Sequence, residues 1–123
     1  MARAIDLLVV LALTALSGLL DARGFIFAAK AWPAGVLDWR IAAIAVLSFV
    51  GGLSCYVVAV KYMHNLGVTT VAIQTGLWFL VTGVAVALAD NSILGWTRAQ
   101  QLVGITIACM MCWLAVSTAS SKL

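Results

Sequence analysis

Residues 66–89 read LGVTTVAIQTGLWFLVTGVAVALA, twenty-four residues without a charge. About 20 predominantly apolar residues in a helix span the hydrocarbon core of a bilayer, and the Leu, Val, Ile and Ala content here is what membrane insertion favours. The stretch reads as a transmembrane helix and sets the scale for the rest of the chain. Residues 41–60 are uncharged for twenty residues and 99–121 for twenty-three, while residues 7–29 are long enough to cross but carry Asp21 and Arg23. With their flanks, the expected spans cover about 5–29, 41–61, 66–89 and 99–120.

Composition agrees with that count. Of 123 residues, 65% are hydrophobic and 9% charged, whereas soluble domains run about half apolar and about a quarter charged. The expected fold is all-α: a polytopic membrane protein, one domain over 1–123, with four transmembrane helices in a short-loop bundle. A cleaved signal peptide would need a small-x-small site before a soluble domain, and the chain after residues 7–16 continues into more apolar sequence. Seven Lys and Arg against four Asp give a net charge of +3, spread too thinly to follow phosphates, so no nucleic-acid partner is expected.

The connections are short. Residues 30–40, KAWPAGVLDWR, hold the sole proline, Pro33, with Trp32 and Trp39 suited to the headgroup region. His64, Asn65 and Gly67 read as a tight second turn, and residues 90–98, DNSILGWTR, as a third. Loop cations nearly balance: Arg3, Lys61 and Lys122 on one side, Lys30, Arg40 and Arg98 on the other, with Arg23 close to the latter. Such a chain either inserts one way on a small excess or inserts both ways, and the second would permit an antiparallel homodimer.

Cys55, Cys109 and Cys112 fall inside spans two and four and read as buried thiols packing as small apolar groups. With a single histidine, His64, at a loop end, no metal site and no cofactor is expected. No nucleophile with a base, nor any His and acid pair, falls at one depth, so no catalytic residue is assigned and the chain does not read as an enzyme.

Asp21 carries most of the functional signal, because an ionisable side chain at mid-depth costs at least about 2.5–3.5 kcal/mol and marks proton or ion pathways. In steps of three and four, its helix face also carries Thr14, Ser17, Gly18, Gly24 and Ala28. A small, polar stripe of this kind packs against another helix or lines a cavity. Asp21 and Ser17 are therefore candidates for proton or substrate binding. In the blander reading, Asp21 and Arg23 simply mark the end of the span. Arg23 shares its own face with Leu16, Leu19, Leu20, Phe27 and Lys30. Arg23 and Lys30 then either rise to the headgroups or hold an anionic one.

In the third span, Gly67, Thr70 and Gln74 fall on one helical face continued by Trp78, while Gly76, Gly83 and Ala87 form a separate seam. Thr70 and Gln74 join the binding candidates, with an interhelical hydrogen bond as the structural alternative for Gln74. Trp78 reads as packing. Gly24, Gly67, Gly76, Gly83 and Gly104 are taken as helix-packing positions, as are Ser48, Gly51 and Gly52 in span two.

Residues 67–113, GVTTVAIQTGLWFLVTGVAVALADNSILGWTRAQQLVGITIACMMCW, resemble the last two helices of the small multidrug resistance transporters and of the wider drug and metabolite transporter superfamily. Asp21, Gly24 and Lys30 stand like the family's embedded acid, the glycine three residues later and the lysine near the helix end. Trp32 and Pro33 resemble its Trp-Pro. The resemblance implies an acid that binds protons and cationic substrate in alternation, and four-helix protomers paired as homodimers or with a paralogue. It also implies a third helix that bends at small residues, and residence in a bacterial inner membrane. The family typically has Glu in place of Asp21, and a Tyr and a Trp where this chain offers Thr70 and Ile73 or Gln74. Divergent relatives flip polyprenyl-phosphate sugars, so a lipid flippase using Arg23 or Lys30 is the second expectation. A non-transporting subunit of a membrane complex is the third.

Overall fold

Helix boundaries follow from local chemistry. In a computed structural model, which describes residues 1–120, helix α1 runs Ala2–Lys30 and ends on a lysine, the charge that suits a helix C-terminus. The chain then turns through a 3-10 segment, Pro33–Gly35, in which Ala34 (φ 52°) and Gly35 (φ 79°) take the left-handed conformation. The Asp38 backbone N–H closes this connection on the Ala31 carbonyl at 2.7 Å. Asp38 also starts α2 (Trp39–Asn65): its Oδ1 accepts from the backbone N–H groups of Arg40 (2.9 Å) and Ile41 (3.3 Å), two of the donors a helix start leaves unpaired.

The end of α2 differs from the expected tight turn running straight into a span. Gly67, at φ +85°, sits just past the helix, its N–H on the His64 carbonyl and the Val68 N–H on that of Met63. This is a Schellman closure, which needs the left-handed backbone that glycine adopts without penalty. Gly67 therefore terminates α2 instead of packing one helix on another. Thr70 becomes the cap residue of α3, which runs Val71–Ala89 and not from 66. Apolar loop residues concealed this boundary, since hydropathy measures transfer from water and not backbone conformation.

After α3, Asn91 at φ 54° leads into a one-turn helix, α4 (Ser92–Gly95), inside what the sequence suggested was simply a turn. Helix α5 (Arg98–Ser120) opens with a capping box: the Thr97 N–H donates to Gln100 Oε1 (2.9 Å) and the Gln100 N–H to Thr97 Oγ1 (3.3 Å). Every described element is helical, and three of the described helices, α1, α2 and α3, are long and apolar enough to cross a membrane. Lys122, one of the balancing loop cations, lies outside the described residues.

Helix α1 is the centre of the packing, lying against α2 along most of its length and against α3, while α5 rests chiefly on α3. Gly24 meets Phe49 and Asp21 meets Gly52, so α1 and α2 run antiparallel. The interior is inverted relative to a soluble protein. Its largest fully buried side chains are Asp21 and Ser17, joined by buried Gln74, Thr82 and Ser48, while Leu8, Leu47, Val57 and Leu102 face outward. Only a surrounding medium as apolar as Leu makes that distribution favourable. Cys109 and Cys112 are exposed and Cys55 is half-buried, so the expectation of thiols packed inside the bundle is corrected. Because α5 has its main neighbour on one side, most of its circumference faces outward.

Glycines set how closely α1 approaches its partners. A β-carbon on Gly18 would lie 2.6 Å from Val81 Cγ1, and one on Gly24 2.8 Å from the Phe49 ring, which is itself held edge-on by Phe25 at 5.0 Å. Nothing lies within 4 Å of such an atom on Gly83. Gly24→Leu is therefore expected to lower the unfolding free energy by about 1–3 kcal/mol in a denaturant titration in detergent. Gly83→Ala should leave it unchanged or raise it, Ala being the better helix former by about 1 kcal/mol. Equal losses at both positions would contradict this packing.

Candidate functional site

Three helices meet at Asp21. Ser17 and Asp21, four residues apart on α1, share the face directed at α2 and α3, and both are completely buried. On α2 the facing residue is Gly52, where a β-carbon would collide with the Asp21 carboxyl group, 2.7 Å from its Cγ. The carboxylate occupies the space that any other residue at 52 would claim. On α3, Trp78 points its indole toward α1.

The polar contacts form a small closed set. Ser17 Oγ donates to the Gly52 carbonyl at 2.7 Å. Having one proton, it is left to act as an acceptor toward Trp78, whose Nε1–H lies 3.1 Å from Ser17 Oγ and 2.9 Å from Asp21 Oδ2. One indole proton is thus shared between hydroxyl and carboxylate. The Ser17 Oγ to Asp21 Oδ2 separation is 3.4 Å, a weaker competitor for the serine proton than the Gly52 carbonyl. Tyr56 and Phe79 hold the indole from the sides, with ring centroids 5.7 Å and 4.8 Å away.

Among the described residues, Asp21 Oδ1 has no hydrogen-bond partner, and neither do the buried hydroxyls of Thr14 and Thr82. A buried acceptor left unpaired is costly, and Oδ1 is the oxygen of the pair still open to a donor. It can take a proton or accept from a cationic N–H, while Oδ2 stays anchored by Trp78.

The other candidates lie elsewhere. Gln74 is buried, and its Nε2–H donates to the Val68 carbonyl at 2.7 Å, where it stitches the α2–α3 connection instead of bonding across helices or facing Asp21. Thr70 caps α3 at the same place. Arg23 is exposed, its guanidinium 5.4 Å from the centre of the Phe27 ring, and Lys30 is exposed at the end of α1. Of the packing glycines, Gly24 mediates close approach to α2, Gly76 lies near Met111 of α5, and Gly104 carries the Trp96 ring.

Trp78 and Gly52 are site residues that sequence reasoning assigned to packing, and Tyr56 joins them through its ring contact with Trp78. A signal for Trp78 was present: an indole N–H in the membrane requires an acceptor, and the chain offers few at that depth. Comparison with protein-family models, with curated proteins and with solved structures gave no match.

Trp78→Phe removes the shared proton and is expected to cost about 1–3 kcal/mol of unfolding free energy. In an Asp21→Leu background the same change should cost less, giving a coupling of about 0.5–3 kcal/mol in a double-mutant cycle. Strict additivity would show that the two side chains do not share a bond in the membrane.

Proposed function

We propose that this chain is a small membrane transporter of the small multidrug resistance type, exporting a small amphipathic or cationic compound in exchange for protons. The observation that carries the reading is the unpaired Oδ1 of a fully buried Asp21, set beside the aromatic rings of Trp78 and Tyr56. A neutral, protonated carboxyl and a carboxylate neutralised by a bound cation are the two states such a site tolerates away from water. They exclude one another at a single oxygen, and that exclusion is the basis of exchange. Aromatic faces also attract cations, so Trp78 and Tyr56 take the part of the aromatic residues missing at Thr70 and Ile73 or Gln74.

The proposed mechanism alternates access. With Asp21 sealed among α1, α2 and α3, a substrate reaches Oδ1 only when α3 withdraws Trp78. Closing the site after release removes water from the carboxylate, and a proton then returns to Oδ1 to neutralise it. The flippase reading draws less support, because Arg23 and Lys30 are exposed on α1, Arg23 lying against the Phe27 ring, away from the Asp21 cluster. Four spans in a homodimer or a paralogue pair, in a bacterial inner membrane, complete the proposal, with α5 as the fourth span.

In liposomes, wild-type protein is expected to release protons when presented with a transported cation or amphiphile, and Asp21→Asn to abolish that coupled flux while remaining folded. Unchanged flux in the variant would refute the reading. For the fourth span, a membrane-impermeant maleimide should leave Cys109 and Cys112 unmodified in intact vesicles and label them after detergent is added. Labelling without detergent would place α5 outside the bilayer.

A further inference from the structure

Between α3 and α5 lies an apolar groove of about 500 Å³ that meets the surroundings of the Asp21 site only at Phe79. Its floor is set by small residues, Gly83 and Ala87 on α3 and Gly104 and Ala108 on α5. Among the described residues, no atom outside the local α3 backbone and the two adjoining residues lies within 4 Å of where a Gly83 side chain would begin, so the groove reaches the backbone of α3.

Its length and its ends are informative. It runs from Gln101 to Met111 along α5 and from Ala87 back to Phe79 along α3, which at 1.5 Å per residue is about 12–15 Å. That is roughly half the ~30 Å hydrocarbon core, or one leaflet. The inner end closes where Met111 reaches across to Gly76, its Cε 3.7 Å from a β-carbon placed there. The outer end is built of polar and interfacial groups: Gln101 Nε2–H donates to the Ile93 carbonyl at 2.8 Å, Trp96 lies on Gly104, and Arg98 begins α5. One turn before Gln101, Arg98 stands on the Ile105 edge of the groove-lining face and is exposed.

We infer that this groove holds one acyl chain of an anionic phospholipid whose phosphate pairs with Arg98. A partner helix crossing the whole bilayer would be seated over only half its length, whereas a chain from one leaflet ends where Met111 ends the groove. The guanidinium supplies the charge complement at the depth of the headgroup. The inference takes from the proposed function only that α5 crosses the bilayer. It involves neither Asp21 nor Trp78, so it and the transport reading fail separately.

The test is native mass spectrometry of the detergent-purified protein titrated with phosphatidylglycerol or phosphatidylcholine of matched chains. Wild type is expected to retain one phosphatidylglycerol, with at least a ~10-fold preference over phosphatidylcholine, about 1.4 kcal/mol. Gly83→Leu and, independently, Val84→Trp at the exposed rim fill the groove and should remove retention of both lipids. Arg98→Gln should keep a bound lipid but abolish the preference. Retention unchanged by both groove variants would overturn the proposal. So would loss of a dimer in those variants with no change in bound lipid, which would assign the groove to a second copy of the chain. Maleimide labelling of Cys109 in intact vesicles would overturn its premise while leaving the Asp21 exchange experiment untouched.

Discussion

A carboxyl group inside a bilayer has no water to turn to, and every polar neighbour it needs must be supplied by protein. That requirement at Asp21 organises the surrounding structure. Gly52 is a glycine because the carboxyl group fills its side-chain space, Ser17 is drawn to the Gly52 carbonyl, and Trp78 is held between hydroxyl and carboxylate. Each of the three long N-terminal helices contributes one face to this point. The close approach of α1 to its partners at Gly18 and Gly24 brings those faces within bonding reach.

The same requirement is left incomplete in one respect. Oδ2 is anchored and Oδ1 is not. Leaving one oxygen open costs energy with no return in stability, as it does for the buried hydroxyls of Thr14 and Thr82. The asymmetry divides the group into an anchored oxygen and an open one, and the proposed function follows from that division more than from the presence of an acid.

Much of α1 was legible from sequence because it is one uninterrupted helix. Steps of three and four from Asp21 found Ser17, Gly18 and Gly24, all of which are buried, and set Arg23 on the opposite, exposed face. The third span was less legible. Its uncharged run begins at Leu66, but Gly67 and Thr70 belong to the preceding turn and cap, so a helical wheel drawn from Gly67 joined two residues outside α3 to Gln74 and Trp78 within it. Gln74, placed by that wheel in a binding face, answers instead to an unpaired carbonyl in the loop. Trp78 was on the page as an aromatic residue, and its role emerged only when the position of its indole proton was known. At α5 the Thr97 to Gln100 spacing was a readable start signal of a kind that hydropathy does not register.

Chain order pairs the helices into two hairpins, which α1 and α3 pack together. Helices α1 and α2 form one and α3 with α5 the other, and the strand of backbone that joins them, 66–70, is non-helical and contains a left-handed glycine. Trp78 ties one hairpin to the other: its indole proton is donated from α3 and received on α1, so the two cannot part at this depth without leaving a buried polar group unpaired.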